Sequence, residues 1–305
     1  MKCKTYINNN NLTVYPPVIQ IVAPLMRQLN QELHIESIPH PKSYEPQFQK
    51  ARKTFVGISK EEIANATLEK LWQIHDFQAY EPCKNYGNHS TLLELKIEIA
   101  KKKIQNCSLC GHECNVNRYK ERGKCNLKDI SFYEYWGELI GEETPINPAA
   151  GIALYACSFN CKFCHAHDYL NVNQGIRLGK ILNLELWDEI DYEQCQTIEF
   201  SAAGDPIPNL LSILETLNSA PEEMNHQIIW SSNSYGTKET WKVLNNLIDI
   251  YLIDLKFGND NCALSLAGCE KHNEFAKETL HCLSRSSGKV IIRWLLLPGH
   301  LECCG

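Results

Sequence analysis

The stretch GIALYACSFNCKFC, residues 151–164, decides how the rest of the chain is read. Its first half is a short apolar run without helical spacing, as expected of a strand buried on both faces. Its second half brings three cysteines, Cys157, Cys161 and Cys164, spaced C-x3-C-x2-C. A strand that ends in such a loop puts the cysteines at the C-terminal edge of a parallel sheet, where α/β barrels keep their chemistry. Tetrahedral zinc sites and most iron–sulfur clusters take four protein ligands. Three thiolates can hold a four-iron cluster and leave the fourth iron open to a substrate or cofactor. A zinc site with a distant fourth ligand, or unrelated buried thiols, are the plainer readings.

Downstream, apolar runs alternate with helical patterns. TIEFSAAGD, QIIWSSNS, DIYLIDLKFG and KVIIRWLLLPG read as strands. PNLLSILETLN, TKETWKVLNNLI and EFAKETLHCLSRSSG read as the helices between them. That order predicts an α/β fold with a parallel sheet. No Gly-rich phosphate turn follows the first strand, so a (β/α) TIM-type arrangement is expected rather than a doubly wound sheet. The sequence ends just after the fifth strand, so the expectation is a partial barrel of about five or six strands over residues 150–305.

Upstream, residues 1–89 read as a mostly helical, proline-punctuated N-terminal extension. One helix is expected from Ser59 to about Phe77, with Ser59 and Glu62 as a capping box. Residues 90–149 read as a helix followed by a short cysteine-rich segment. Thr91 and Glu94 cap that helix, which runs to about Ile104, and Lys101, Lys102 and Lys103 suit its C-terminal dipole. The segment NCSLCGHECNVNRYKERGKCNL, residues 106–127, has too few apolar residues for a core of its own. Its Cys107, Cys110, Cys114 and Cys125 can hold zinc or a second cluster, and the spacing does not separate the two.

The 305 residues carry 15 cysteines, a net charge of −6 and 44% hydrophobic residues. A net negative chain is not expected to bind nucleic acid or an anionic membrane. There is no signal peptide and no apolar run of membrane-spanning length, so a soluble, cytoplasmic protein is expected. In that reducing compartment clustered cysteines read as metal ligands rather than disulfides.

CSFNCKFC resembles the signature loop of the radical S-adenosylmethionine superfamily. The resemblance implies that Cys157, Cys161 and Cys164 hold a [4Fe-4S] cluster whose open iron binds S-adenosylmethionine. One electron then cleaves the cofactor, and the resulting 5′-deoxyadenosyl radical abstracts a hydrogen atom. Phe163, the aromatic residue before the last cysteine, would pack near the adenine. Ala203-Gly204-Asp205-Pro206 stands where the family has a GGE turn for the methionine amino group, with Ala203 and the shorter Asp205 departing from it. Ser232 and Asn233 would approach the ribose. LIDLKFG resembles the DLK stretch of pyruvate formate-lyase activating enzymes, so Lys256 would meet the carboxylate with Asp254 beside it. Arg293, in IRWLLLPGH, would point into the site. The cysteine segment and LPGHLECC resemble the same branch, and the resemblance covers about residues 90–305. It implies an oxidoreductase that could activate a glycyl radical enzyme, with a flavodoxin- or ferredoxin-type electron donor. Two other readings remain: radical modification of a peptide or small molecule, and a degenerate, non-catalytic iron–sulfur or zinc-binding protein.

Overall fold

The computed structural model describes residues 3–8, 11–14, 44–77, 81–82, 88–139, 148–170, 179–295 and 297. The N-terminal part supplies strands β1 (Cys3–Asn8), β2 (Asn11–Val14), β3 (Thr54–Ser59), β4 (Glu81–Pro82) and β5 (His89–Thr91). Its helices are α1 (Gln47–Lys53), α2 (Lys60–Asn65), α3 (Leu68–Phe77) and α4 (Leu92–Lys103). This extension is therefore less helical than its sequence suggests: β4, β3 and β5 form a small antiparallel sheet. The single helix expected over 59–77 is two. Ala66 takes an extended backbone, and the Thr67 hydroxyl accepts from Lys70 N at 3.2 Å, which starts α3 afresh. Both expected capping boxes, Ser59 with Glu62 and Thr91 with Glu94, are formed.

The main sheet adds β6 (Phe132–Leu139), β7 (Ala149–Leu154), β8 (Lys180–Ile181), β9 (Thr197–Phe200), β10 (Gln227–Ser232), β11 (Ile250–Leu255) and β12 (Lys289–Trp294). Its order is β2-β1-β12-β11-β10-β9-β7-β6-β8. The five strands read from sequence, β7, β9, β10, β11 and β12, run parallel to one another. Every residue of β7, β9 and β10 is buried, which is why these segments read as continuous apolar runs. Antiparallel strands flank this core: β6 and β8 beyond β7, and the β1–β2 hairpin beyond β12. Among the described residues β2 and β8 do not pair, so the sheet is open rather than a closed barrel.

Five further helices follow: α5 (Leu186–Glu189), α6 (Leu210–Asn218), α7 (Lys238–Leu244), α8 (Asp260–Ala267) and α9 (His272–Leu283). Helix α4 packs across α6 and α7 and buries most of its length. Its Lys96 is fully buried yet satisfied, donating to Val243 O at 2.7 Å and Asn245 O at 2.5 Å. A cation there meets the orphan carbonyls and negative dipole end of α7.

Asp249, at the foot of β11, ties the extension to the sheet. Its carboxylate accepts from Tyr44 OH at 2.9 Å, Gln47 N at 2.9 Å and Ile228 N at 2.8 Å. Burial pushes this carboxyl up to about 6, against the pull of those hydrogen bonds. Asp249→Ala leaves three donors unpaired and should cost about 2–4 kcal/mol at pH 7 in denaturant unfolding. The folded state holds this proton more tightly than the unfolded chain. Wild-type stability from this group is therefore fully present below pH ~4 and declines as pH rises toward 6. The gap between wild type and variant should be wider at pH 4 than at pH 7, and an equal gap would deny the raised carboxyl.

Candidate functional site

The C-terminal ends of the parallel strands surround a cavity of about 340 Å³. Cys157, Cys161 and Cys164 line it, as do Phe163, Ala203, Gly204, Ser232, Asn233, Asp254, Lys256 and Arg293. Residues picked from five separate strand ends thus share one wall. Parallel strands are what bring them together, since each ends on the same edge of the sheet.

The cysteine loop begins where β7 ends. Ala156 takes a left-handed backbone (φ 76°), which turns the chain out of the sheet at Cys157. The loop is held by Asn160 N to Ala267 O at 2.9 Å and Lys162 N to Leu266 O at 2.8 Å, both on α8. The Cys157 sulfur accepts from Phe159 N at 3.3 Å and from the Asn233 side-chain amide at 3.5 Å. Burial, aided by the Asp205 charge, pushes the Cys157 thiol well up, and burial pushes Cys161 up to about 11. Buried thiols of that kind become ligands when a metal supplies the compensating charge.

Gly204 sits at the turn after β9 with φ 75°. A Cβ there would lie 2.1 Å from Leu154 O and 2.8 Å from Ala156 O, so only glycine fits. The next residue departs from expectation. Asp205 is buried and does not line the cavity. Its carboxylate accepts from Ile207 N at 2.8 Å and Asn233 N at 3.1 Å, with Ser232 Oγ at 3.4 Å. Burial raises this carboxyl to about 6, opposed by those same N–H groups.

On the far wall Asp254 lies between two cations. Lys256 Nζ donates at 2.6 Å to one oxygen and Arg293 Nε at 2.5 Å to the other. Arg293 Nη2 also reaches Ser231 Oγ at 3.1 Å. Burial alone would raise the Asp254 carboxyl, but Arg293 and Lys256 hold it well below the usual carboxylate range. Burial pulls Lys256 down, and Asp254 more than reverses this.

Sequence reading missed Glu199, Ser201 and Ser231, which line the same cavity, and Trp136, Trp294 and Leu295 at its sides. Glu199 is a buried polar residue inside the apolar run TIEF, and that interruption was its signal. Outside the cavity, Cys107, Cys110, Cys114 and Cys125 lie in the short segment between α4 and β6, all as free thiols. Among the described residues no group of three or more His, Cys, Asp or Glu side chains is arranged to hold a metal ion. A four-iron cube differs from a single ion in this respect, because its thiolates stand at separate corners. The three free sulfurs facing one cavity, one of them receiving two N–H donors, fit such a cube.

Residues 150–275 match the family model of a 4Fe-4S single cluster domain. This match spans the three-cysteine loop and supports a [4Fe-4S] cluster in this protein. The chain is also similar to the uncharacterized protein MJ0674 of Methanocaldococcus jannaschii. The two are 35% identical over 266 residues, which is 81% of this chain and 75% of the archaeal one. No helix among the described residues is long and apolar enough to cross a membrane.

Asp254→Ala would leave two half-buried cations without their shared carboxylate and should cost about 1–3 kcal/mol, less than a fully buried pair. The depressed Asp254 carboxyl gives stability above the ordinary carboxylate range, lost as pH falls through and below it. Denaturant midpoints of wild type and variant should therefore converge on acidification from pH 7 toward 3. A gap that holds constant over that range would show that the carboxylate is not ion-paired.

Proposed function

The chain belongs to the same family as that archaeal protein, and we propose that it is a radical S-adenosylmethionine enzyme. The observation that carries this reading is the gathering on one cavity of a C-x3-C-x2-C loop, a glycine-only turn and a half-buried Asp254–Lys256–Arg293 group. In this reading Cys157, Cys161 and Cys164 hold the cluster and leave one iron open. A cluster held there would supply the one-electron reduction that splits S-adenosylmethionine into methionine and a 5′-deoxyadenosyl group able to take a hydrogen atom from the substrate.

The chain's own residues bind and orient. Lys256 keeps its charge because Asp254 offsets the cost of its burial, so a cation faces the cavity for the cofactor's carboxylate. Gly204 lets the turn approach the cysteine strand without a side chain between them. Phe163, about 37% exposed, offers a ring face at the mouth for the adenine. Trp136 and Trp294 are also part-exposed at the same cavity. With Phe163 given to the adenine, these two indole rings remain for the substrate and suit a peptide segment better than a free polar metabolite. We therefore propose a partner protein as substrate, a glycine Cα of a glycyl radical enzyme being the position the family resemblance suggests. A flavodoxin- or ferredoxin-type donor in the cytoplasm would supply the electron.

One observation favours a second reading, a cluster-binding protein that does not cleave the cofactor. Asp205, at the position expected to hold the methionine amino group, turns its carboxylate away from the cavity onto backbone N–H groups. Anaerobic reconstitution with iron and sulfide, reduction, and assay for 5′-deoxyadenosine separates the two. Wild type should form it and Cys164→Ala should not. Lys256→Ala should keep its iron while binding S-adenosylmethionine at least about tenfold more weakly, the loss of one charge-assisted contact. A wild-type protein that holds its cluster yet forms no 5′-deoxyadenosine would leave the second reading standing.

A further inference from the structure

Asn233 is where the family expectation and the geometry part. The resemblance places it at the ribose of the cofactor. In the structure its side chain is buried and already engaged. Its amide donates to Ser158 Oγ at 2.8 Å and to Cys157 Sγ at 3.5 Å. Its Oδ1 accepts from Tyr235 N at 3.1 Å. A primary amide carries two N–H donors, so neither is left for a ribose hydroxyl. Tyr235 N also fixes which end of the amide faces the sulfur, because a flipped amide would set donor against donor.

The backbone around this contact is held as well. Asn233 N donates to the Asp205 carboxylate at 3.1 Å, and Ser158 O accepts from His112 Nε2 at 2.6 Å. Ser234 takes a left-handed backbone (φ 66°), so the chain leaves the line of β10 just past Asn233, and its Oγ donates to Asp254 O at 3.0 Å. Among the described residues, Cys157 is the one of the three cavity cysteines whose sulfur accepts a side-chain N–H, and Phe159 N adds a second donor at 3.3 Å. Reducing a cluster adds negative charge that its thiolates share. An N–H dipole aimed at one thiolate stabilises the reduced form more than the oxidised form, and burial strengthens that effect.

We propose that Asn233 tunes the cluster rather than binding the ribose: its side-chain amide donates to the Cys157 thiolate and raises the reduction potential of the cluster held there. The inference rests on the proposed [4Fe-4S] cluster at Cys157, Cys161 and Cys164. A higher potential eases entry of the electron from a flavodoxin- or ferredoxin-type donor, at some cost to the driving force for splitting the cofactor. One amide, fixed by Ser158 and Tyr235, sets that balance.

The test is a potentiometric titration of the reconstituted full chain without S-adenosylmethionine, read by electron paramagnetic resonance of the reduced cluster. Wild type is compared with Asn233→Leu, which is similar in size and has no N–H. The midpoint potential of the variant should fall by a tenfold change in the reduction equilibrium, about 59 mV for one electron. An unchanged or raised potential would overturn the inference. Binding of S-adenosylmethionine to the oxidised variant separates the two roles. A ribose contact predicts binding about tenfold weaker with the potential of the cofactor-free cluster left where it was, and that result would sink the proposal. Should the variant not hold a cluster, wild-type protein labelled with nitrogen-15 at its asparagine side-chain amides decides the matter. Its reduced cluster should show a coupling to that nitrogen, and no coupling would count against Asn233. A wild type that takes up no iron would overturn the cluster reading and this inference with it. The potential and the coupling do not require S-adenosylmethionine to be cleaved, so failure of the proposed reaction and failure of this inference are told apart.

Discussion

The turn Gly204–Asp205 is the constraint on which the cavity depends. Without a Cβ at Gly204, the end of β9 lies directly on the carbonyls that close β7. Leu154 N to Ala203 O and Asp205 N to Ala156 O then lock the two strand ends together just before Cys157. The Asp205 carboxylate reaches the other way and holds Asn233 N, at the end of β10. Asn209 adds a clamp from below, donating to Tyr155 O and Asp205 O. One glycine and one carboxylate therefore set the relative height of three strand ends. The cysteine loop can meet the rest of the site only if those heights are right.

Two carboxylates, Asp205 buried and Asp254 half-buried, serve this region by opposite means. Asp205 is stabilised by peptide N–H groups and stays costly to ionise. Asp254 is stabilised by two full positive charges and ionises easily. Their geometry explains the division. Asp205 stands among strand ends, where backbone donors are in surplus once the ladder stops. Asp254 is on β11 beside Arg293 of β12, its partner in register, so a cross-strand pair supplies the first cation and Lys256 the second. The first arrangement gives a rigid turn with no charge to offer the cavity. The second holds an ionised carboxylate between two cations at the cavity wall.

Much of this was legible because it is local. Buried parallel strands show as apolar runs, and capping boxes are three-residue patterns, so β7, β9–β12 and α4 lie where their sequences put them. The residues flanking each strand end could be picked for the same reason, and parallel topology did the rest. What was not legible depends on direction or on distant pairing. The residue at Asp205 was readable, but nothing local says whether its carboxylate faces the cavity or the backbone. The extra start at Thr67 rests on one hydroxyl. The β1–β2 hairpin joins β12 across nearly the whole chain, and its few polar-rich residues carry no hint of that partner. Strand β6, in SFYEYWGEL, interleaves aromatic and polar side chains and marks an edge-side antiparallel strand rather than another buried one.

The open sheet has a consequence for chemistry. A reaction through a carbon radical requires that water and stray hydrogen donors be excluded. In a closed barrel the wall does this. Here the described strands curve round only part of the cavity, and Trp136, Phe163 and Trp294 remain part-exposed beside it. Aromatic faces left in water are a standing cost that a bound surface would remove. On the proposed reading the adenine covers Phe163, and a substrate that covers the two indole rings would help to dry the mouth. On the proposed reading, then, a substrate seated on Trp136 and Trp294 would itself help to shield the radical from water, which would favour hydrogen abstraction from a bound partner.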